Sequence, residues 1–317
     1  MVNALVKFSL APLLLAASTA ALASQLSTNA MSAVPHDVQQ LVAIDYQAME
    51  NSAAAMALRN RVMPPALKQL ETALEKSGLN DNNDVDEMAF GLFRGSGSGD
   101  SLYTVGIAEG EFSEPDILAN FNRLKIKPTM LRANSIYPMT RSGMVLCFMD
   151  PSTIVFGDKD AVEQALNAHD GFAPSMLTNG PMMSAMQSVS SAPLWSILDS
   201  HGTRTMMNSL LGQAGSVTNY KAVRDRLQSC WYSMNFQNGV QFSLTISTGD
   251  AFTAATISSL LSAAMIVRKM TSTPAEAQAL NATSVSSNMG QITIHFASSD
   301  SQFSSLLQSP LFQSVVH

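Results

Sequence analysis

Short apolar or alternating runs recur along this chain, and stretches with helical spacing separate them. In the first half, this pattern predicts two helices broken at Pro64-Pro65 and a hairpin whose strands flank a Gly-Ser loop. The predicted strands of this half are 39–46, 85–93, 101–110 and three short runs within 135–158, and the last two helices are 113–124 and 160–171. The half is therefore a mixture of strands and helices.

The second half repeats this order. A strand at 193–200 is followed by a helical stretch, a hairpin over 229–247, a helix at 250–270, a strand at 291–298 and a short helix. Asn238-Gly239 in the hairpin is a strong tight-turn signal. We therefore predict an α+β fold of two similar lobes, each an antiparallel sheet with helices packed on one face, in a ferredoxin-like or split β-α-β pattern.

The first 23 residues have the features of a secretory signal peptide. Lys7 is their single charged side chain, a short Leu/Ala-rich run follows, and Ala21-Leu22-Ala23 suits signal peptidase. The apolar run is shorter than the roughly 20 residues of a membrane span. We predict an exported protein, periplasmic or extracellular, with no membrane span after cleavage. Its expected segments are a signal peptide (1–23), a flexible mature N-terminus (24–32), a first lobe (33–190) and a second lobe (191–317).

Composition narrows the range of partners. The formal net charge is −6 and no basic run occurs, which argues against nucleic-acid binding because phosphate neutralisation requires clustered Lys and Arg. Only 13% of residues are charged, so much of the surface must be Ser, Thr, Asn and Gln. The expected partner is an unidentified protein or small ligand.

The stretch 251–267 contains no charged residue, and its composition is compatible with a membrane segment. Its hydroxyl residues recur every third position and form a polar stripe: Thr253, Thr256, Ser259 and Ser262. Its apolar stripe consists of Phe252, Ala255, Leu260, Leu261 and Ala264. An amphipathic helix that lies on a sheet accounts for both stripes.

Cys147 and Cys230 are the two cysteines. Export to an oxidising compartment makes a disulfide between them possible. Their positions within predicted strands are equally typical of buried small hydrophobic residues. The sequence leaves both alternatives open.

Asp45 and Asp199 end equivalent strands of the two halves. Two carboxylates facing each other across a pseudo-twofold axis could perform acid–base catalysis, whereas helix capping is the simpler role for each. At the strand–helix corners that close the halves, Asp158 or Asp160 and Asp300 are expected to cap helices in the same way.

Other motifs are weaker. Met182 and Met186 share a helical face, which suits either Cu(I) or core packing. The Gly-Ser loop at 95–99 lacks the Gly-Lys-Ser/Thr ending of a phosphate loop, and the acidic run at 81–87 lacks the spacing of a calcium loop. The five histidines are scattered, and His295 is expected on the strand face opposite Ile294 and Phe296. No cofactor is predicted.

Three stretches carry a resemblance: "VPHDVQQLVAIDYQAM", "GLNDNNDVDEMAFGLF" and "FMDPSTIVFGDKDAVEQAL". Together they resemble exported bacterial proteins that have small α+β repeats and no established activity. The resemblance spans roughly residues 33–190. It implies export and architecture, and it transfers no functional residue to this chain.

The functional expectation follows from these observations. The favoured interpretation is an exported, soluble, non-catalytic protein that binds a partner or ligand through its sheet surface or a groove between the lobes. The alternative is a hydrolase or other enzyme whose residues converge in the cleft between the lobes. A copper-binding or membrane-associated protein is the third hypothesis.

Overall fold

The computed structural model describes residues 26–79, 84–95, 102–211 and 218–309, together with Phe312. The predicted signal peptide, residues 81–83 of the acidic run and most of the Gly-Ser loop lie outside the described residues.

The first half of the chain follows the predicted order of helices and strands, with α1 and β4 in addition and with the first of the two predicted helices divided into α2 and α3. Its elements are α1 (Thr28–Ser32), β1 (Val38–Asp45), α2 (Tyr46–Glu50), α3 (Ala53–Val62), α4 (Pro65–Lys76), β2 (Val85–Arg94), β3 (Leu102–Gly110), α5 (Glu114–Arg123), β4 (Thr129–Leu131), β5 (Asn134–Pro138), β6 (Met144–Asp150), β7 (Thr153–Asp158) and α6 (Lys159–His169). The break between α3 and α4 falls at Pro64-Pro65 because a proline disfavours helical backbone at the residue before it.

The second half contains the predicted hairpin and long helix. The helix α7 (Gly180–Gln187) ends the first half. The elements of the second half are β8 (Leu194–Leu198), α8 (Ser200–Leu211), α9 (Thr218–Val223), β9 (Leu227–Asn235), β10 (Val240–Thr248), α10 (Ala251–Met270), α11 (Pro274–Asn281), β11 (Thr283–Asn288), β12 (Gln291–Ser298) and α12 (Asp300–Leu307). Gly239 has a φ of 80° in the β9–β10 turn, a backbone conformation that favours glycine.

The described strands form one continuous antiparallel sheet in the order β11-β12-β10-β9-β8-β1-β2-β3-β7-β6-β5-β4. Strands β1 and β8 join the two halves edge to edge, with Val42 opposite Ser196. Outward from this pair, the series β1-β2-β3-β7 corresponds to the series β8-β9-β10-β12. The predicted α+β class is confirmed, and the sheets of the two halves are continuous.

Helices cover the two halves differently. In the second half, α8, α9, α10 and α12 pack on one face of the sheet, as expected. In the first half, α4 and α5 pack on that same face, whereas α1, α6 and α7 pack on the opposite face. The physical reason lies in strands such as β7, where Thr153–Phe156 are buried at successive positions and both faces therefore require a cover.

The residues that follow the predicted cleavage point differ from the expected flexible segment. Leu26, Ala30 and Met31 are buried in the cluster beneath α6. Ser27 caps α1 through its hydroxyl, and its backbone N–H donates to Glu109 Oε2 at 2.9 Å. Burial of three apolar side chains orders this segment despite its short length.

The acidic corners divide into two groups. Asp45 and Asp250 cap α2 and α10, since each carboxylate accepts a backbone N–H at 2.8 Å. The expectation is not met at Asp158, which precedes α6 without a side-chain capping bond. It is not met at Asp300 either, because Ser299 caps α12 in a reciprocal box with Gln302.

Candidate functional site

The outward side of α10 carries four of the exposed large hydrophobic side chains of the described residues. Phe252 is 73% exposed and Met270 is 82% exposed, and these two residues lie on the same side of the helix, about five turns apart. Ile266 and Val267 are each 65% exposed beside Met270. The side is free of charge along its length, because Ala255, Thr256, Ser259 and Ala263 fill the middle.

The inward side of α10 packs on the sheet as predicted. Ile257 and Leu261 are buried against Leu244, Ile246 and Ile292. The predicted stripes are nevertheless placed differently from the expectation. Thr253 is buried, and its hydroxyl donates to Asp250, whereas Phe252 faces outward. The orientation of a helix on a sheet depends on its packing partners, which the sequence pattern does not show.

Hydroxyl groups on the outward side of α10 are satisfied by the helix itself. Thr256 Oγ1 donates to the Phe252 carbonyl at 2.9 Å, and Ser259 Oγ donates to the Ala255 carbonyl at 2.9 Å. Each of these hydroxyls already donates a hydrogen bond within the helix. Its transfer out of water therefore costs less free energy than the transfer of an unbonded hydroxyl. The middle of the helix is therefore compatible with an apolar environment.

Two further features extend this surface. Arg268 and Lys269 lie in the last turn of α10 and form no ion pair with another described residue. Met289 is 90% exposed in the β11–β12 turn, where the neighbouring Gly290 lies against the Asp250 backbone. We call Phe252, Ala255, Ser259, Ala263, Ile266, Val267, Met270 and Met289 the α10 surface.

Among the described helices, Ala251–Met270 is the one that could cross a bilayer by length and composition, and 28% of its apolar window is buried. Its inner side packs on the sheet and its outer side is exposed, as in an amphipathic helix.

The uncovered face of the second half-sheet corresponds to the sheet surface expected from the sequence. Its positions on β9 to β12 are mostly neutral and polar: Ser229, Ser233, Gln241, Ser243, Thr245, Ser247, Ser284, Ser286, Asn288, Gln291 and Thr293. His295 is exposed on this face, opposite Ile294 and Phe296, as predicted. We call it the hydroxyl face; its groups can exchange hydrogen bonds with water or a neutral polar ligand.

The sequence analysis expected a groove between the halves. In the structure the halves meet instead at the β1–β8 pair, whose strands are hydrogen-bonded along their length. Two cavities of the described residues lie beside α4, in the first half.

Asp45 and Asp199 are not brought together. The Asp45 N–H donates to the Pro193 carbonyl at 2.8 Å, and the Asp199 N–H donates to the Gln39 carbonyl at 3.0 Å. The two residues therefore lie at opposite ends of an antiparallel pair, about 20 Å apart at ~3.3 Å per residue. Catalytic carboxylate pairs lie within about 10 Å, so this pair lacks the geometry for joint acid–base work.

Each of these aspartates has a local structural role. Asp45 Oδ1 accepts the Ala48 N–H at 2.8 Å, and Asp199 Oδ1 accepts the Gly202 N–H at 2.7 Å. Burial raises the pKa of the Asp199 carboxyl, and the Gly202 hydrogen bond opposes that rise in part.

A polar chain that sequence reasoning missed connects α1 to α6. Asp170 accepts from Arg132 and contacts His169 Nδ1, and His169 Nε2 lies 3.0 Å from Asn29 Oδ1. Asn29 in turn donates to Asp150. Burial raises the pKa of Asp170, but hydrogen bonds from His169 and Arg132 outweigh it and leave that pKa lowered. No hydroxyl or thiol nucleophile contacts His169 among the described residues. These hydrogen bonds therefore have a structural role, which is to hold α1 against α6.

The cysteines are separate, buried thiols. Cys147 lies on β6 and Cys230 on β9, six strands apart in the sheet, or about 25–30 Å at ~4.8 Å per strand. A disulfide would require their Cα atoms within about 7 Å. Burial raises the pKa of Cys147 to about 11 and that of Cys230 to about 12. In this structure both thiols pack among buried residues, and they lie too far apart to form a disulfide with each other.

The methionine pair is part of the apolar packing. Met182 is buried beneath α7, and Met186 packs against the same cluster. Met206 Sδ lies 3.9 Å from Cys230 Sγ, in a different cluster. Within the described ranges, no group of three or more His, Cys, Asp or Glu residues could hold a metal ion.

Comparisons with known proteins give the fold alone. No protein-family model and no curated protein matches the chain. Two crystal forms of TP0453 are similar in structure, each with a TM-score of 0.51. Crystal form I is 11% identical, with 90% of this chain and 97% of TP0453 covered. Crystal form III is 10% identical, with 87% and 96% covered.

Proposed function

We propose that this chain is an exported, non-catalytic binding protein that attaches to a lipid surface through the α10 surface. The observation that carries the proposal is a helix with a packed inner side and a charge-free, largely apolar outer side. Export is part of the proposal and is supported by the leader-like pattern of residues 1–23. The resemblance to exported bacterial α+β repeat proteins supports the same location.

The energetics favour a lipid surface as the occupant. Transfer of a large apolar side chain out of water contributes about 1.5–3 kcal/mol, and the α10 surface offers Phe252, Ile266, Val267, Met270 and Met289. Arg268 and Lys269, at the end where three of these cluster, suit anionic headgroups. The internally bonded hydroxyls of Thr256 and Ser259 reduce the cost of leaving water.

A binding role is also supported by the arrangement of the candidate catalytic groups. Asp45 and Asp199 act on backbone amides at opposite ends of the β1–β8 pair. The hydroxyl face remains the alternative binding surface, for a neutral polar ligand.

The test is flotation of the full chain with vesicles of phosphatidylethanolamine and phosphatidylglycerol. The double variant F252S/M270S should lose most of the vesicle-bound fraction, while its urea midpoint should change little because both side chains are exposed. The matched control is F172S/M130S, which replaces a phenylalanine that is 69% exposed and a methionine that is 64% exposed elsewhere.

Equal vesicle binding by F252S/M270S and the native chain would overturn the proposal. So would a native dimer, seen by light scattering without lipid, that this variant dissociates, because a second copy would then occupy the α10 surface. Loss of binding in both double variants would indicate nonspecific adsorption and would count against the proposal as well.

A further inference from the structure

An open groove of about 620 Å³ lies between α4 and the β5–β6 turn, on the first half of the chain. Its volume falls in the ~300–1,000 Å³ range of small-molecule sites. It is lined by Lys68, Gln69, Thr72, Ala73, Lys76, Leu124, Ile126, Met139, Thr140 and Arg141. Nothing in the proposed function uses this groove.

Charge on α4 is divided between its two sides. Lys68, Thr72 and Lys76 recur every four residues and face the groove, whereas Glu71 and Glu75 line the separate cavity on the other side. Arg141 adds a third cation from the opposite wall. No carboxylate lines the groove, although the chain as a whole carries a net charge of −6.

The three cations have no anionic partner within the described ranges. Lys68, Lys76 and Arg141 are exposed, and none of them forms an ion pair there. Like charges around one groove repel one another, and an anion bound between them removes that repulsion. Thr140 adds a hydroxyl beside Arg141, whereas the Thr72 hydroxyl already donates to the Lys68 carbonyl at 3.0 Å.

The floor of the groove is apolar. Ala73, Ile126 and Met139 form it, and Leu124 remains 46% exposed at its edge. A bare inorganic anion would leave this apolar area in water. A ligand that joins an anionic head to an apolar chain would match both the rim and the floor.

The walls of the groove are fixed in position. Thr140 Oγ1 accepts the Met144 N–H at 3.1 Å and lies 2.7 Å from Ser142 Oγ, which orders the turn that carries Arg141. Ser142 Oγ in turn lies 3.5 Å from Gln69 Oε1 on α4. On the other wall, Asn120 donates to the Ser77 carbonyl at 2.9 Å and holds the end of α4 against α5. A preorganised site loses less entropy on binding.

We propose that this groove binds an anionic amphiphile, with the head between Lys68, Lys76 and Arg141 and the apolar chain over Ile126, Met139 and Leu124. The head is a phosphate or carboxylate, and lipids are the natural source of such molecules. The proposal is independent of the α10 surface, because the groove and α10 belong to different halves of the chain.

The test is calorimetric titration of the full chain with monomeric dodecyl phosphate, inorganic phosphate and the neutral dodecyl maltoside. Dodecyl phosphate should bind, and the variants K76Q and R141Q should each weaken that binding about two- to fivefold, since solvent screens an ion pair formed by an exposed side chain. The control K221Q removes an exposed lysine of α9 and should bind as the native chain does.

Each remaining outcome would overturn the proposal. Equal affinity for inorganic phosphate would show that the apolar floor is unused and that the site takes a free anion. Equal affinity for dodecyl maltoside would show that the cations are unused. Unchanged affinity in K76Q and R141Q would show that dodecyl phosphate binds elsewhere. The affinity of F252S/M270S for dodecyl phosphate would then show whether the α10 surface is that site.

Discussion

Asp45 and Asp199 lie at opposite ends of the β1–β8 pair, where each donates its backbone N–H to the other strand. Asp45 reaches the Pro193 carbonyl at 2.8 Å, and Asp199 reaches the Gln39 carbonyl at 3.0 Å. The relationship is that of two residues exchanged by a local twofold axis near Val42 and Ser196. Each carboxylate accepts a backbone N–H of the helix that follows its strand. Because the twofold axis passes through the middle of the strand pair, it places the two carboxylates at opposite ends.

Removal of the Asp45 cap should lower the stability of the protein modestly. Asp45→Ala removes the acceptor of the Ala48 N–H and should lower the free energy of unfolding by about 1 kcal/mol. Asp45→Asn keeps an acceptor oxygen and should stay near the native value. Urea denaturation measures both, and equal losses in the two variants would contradict a capping role.

The half-buried Asp199 carboxyl should make the stability depend on pH. Because burial raises its pKa above the ordinary value near ~3.9, ionised Asp199 disfavours the folded state at neutral pH, and protonation relieves this as pH falls toward about 4. Asp199→Asn keeps an acceptor for the Gly202 N–H without the charge. Its urea midpoint should equal or exceed the native one at pH 7, and the difference should shrink toward pH 4.

A marked loss of stability in Asp199→Asn at pH 7 would instead show that the charge itself is required.

Trp195 predicts that the two halves unfold together. It belongs to β8 but is buried in the cluster that α6 and α7 form with the first half. Trp195→Ala should cost about 3–5 kcal/mol and lower a single transition monitored by circular dichroism. Two separate transitions in the native chain, with only the second affected, would contradict this coupling.

The two sides of α10 predict opposite responses to alanine. Ile257→Ala leaves a cavity against Leu244 and Ile246 and should cost about 2–5 kcal/mol. Phe252→Ala removes an exposed side chain and should change the unfolding free energy by at most about 0.5 kcal/mol. Urea midpoints of the two variants provide the comparison, and a large loss in Phe252→Ala would mean that its ring supports the fold.

The cysteines predict slow thiol chemistry. Because burial raises both pKa values, to about 11 and about 12, almost no thiolate exists at pH 8 in the folded chain. A colorimetric disulfide reagent should react with both thiols only after denaturation. Thermal unfolding should be the same with and without a reductant. A reductant-dependent shift would indicate a disulfide.

The sequence predicted most of the helices and strands in their correct order, together with several of their ends. The prolines at 64–65 separate α3 from α4, Gly239 turns the β9–β10 hairpin, and Asp250 begins α10. These signals are local, since each acts through backbone conformation or a hydrogen bond within a few residues. The strand β11 escaped prediction because its residues are polar and lie at an exposed sheet edge.

Which surfaces are left without a packing partner depends on how distant segments fold against one another. The sequence pattern of α10 shows an apolar residue at 252, but whether it faces the sheet depends on where Ile257 and Leu261 dock. Likewise, the joining of β1 to β8 removed the expected cleft and separated Asp45 from Asp199. The grouping of Lys76 with Arg141 also arises from chain segments distant in sequence. Such groupings depend on long-range packing, in which many weak contacts between remote segments act together. Local conformational propensities do not predict these contacts.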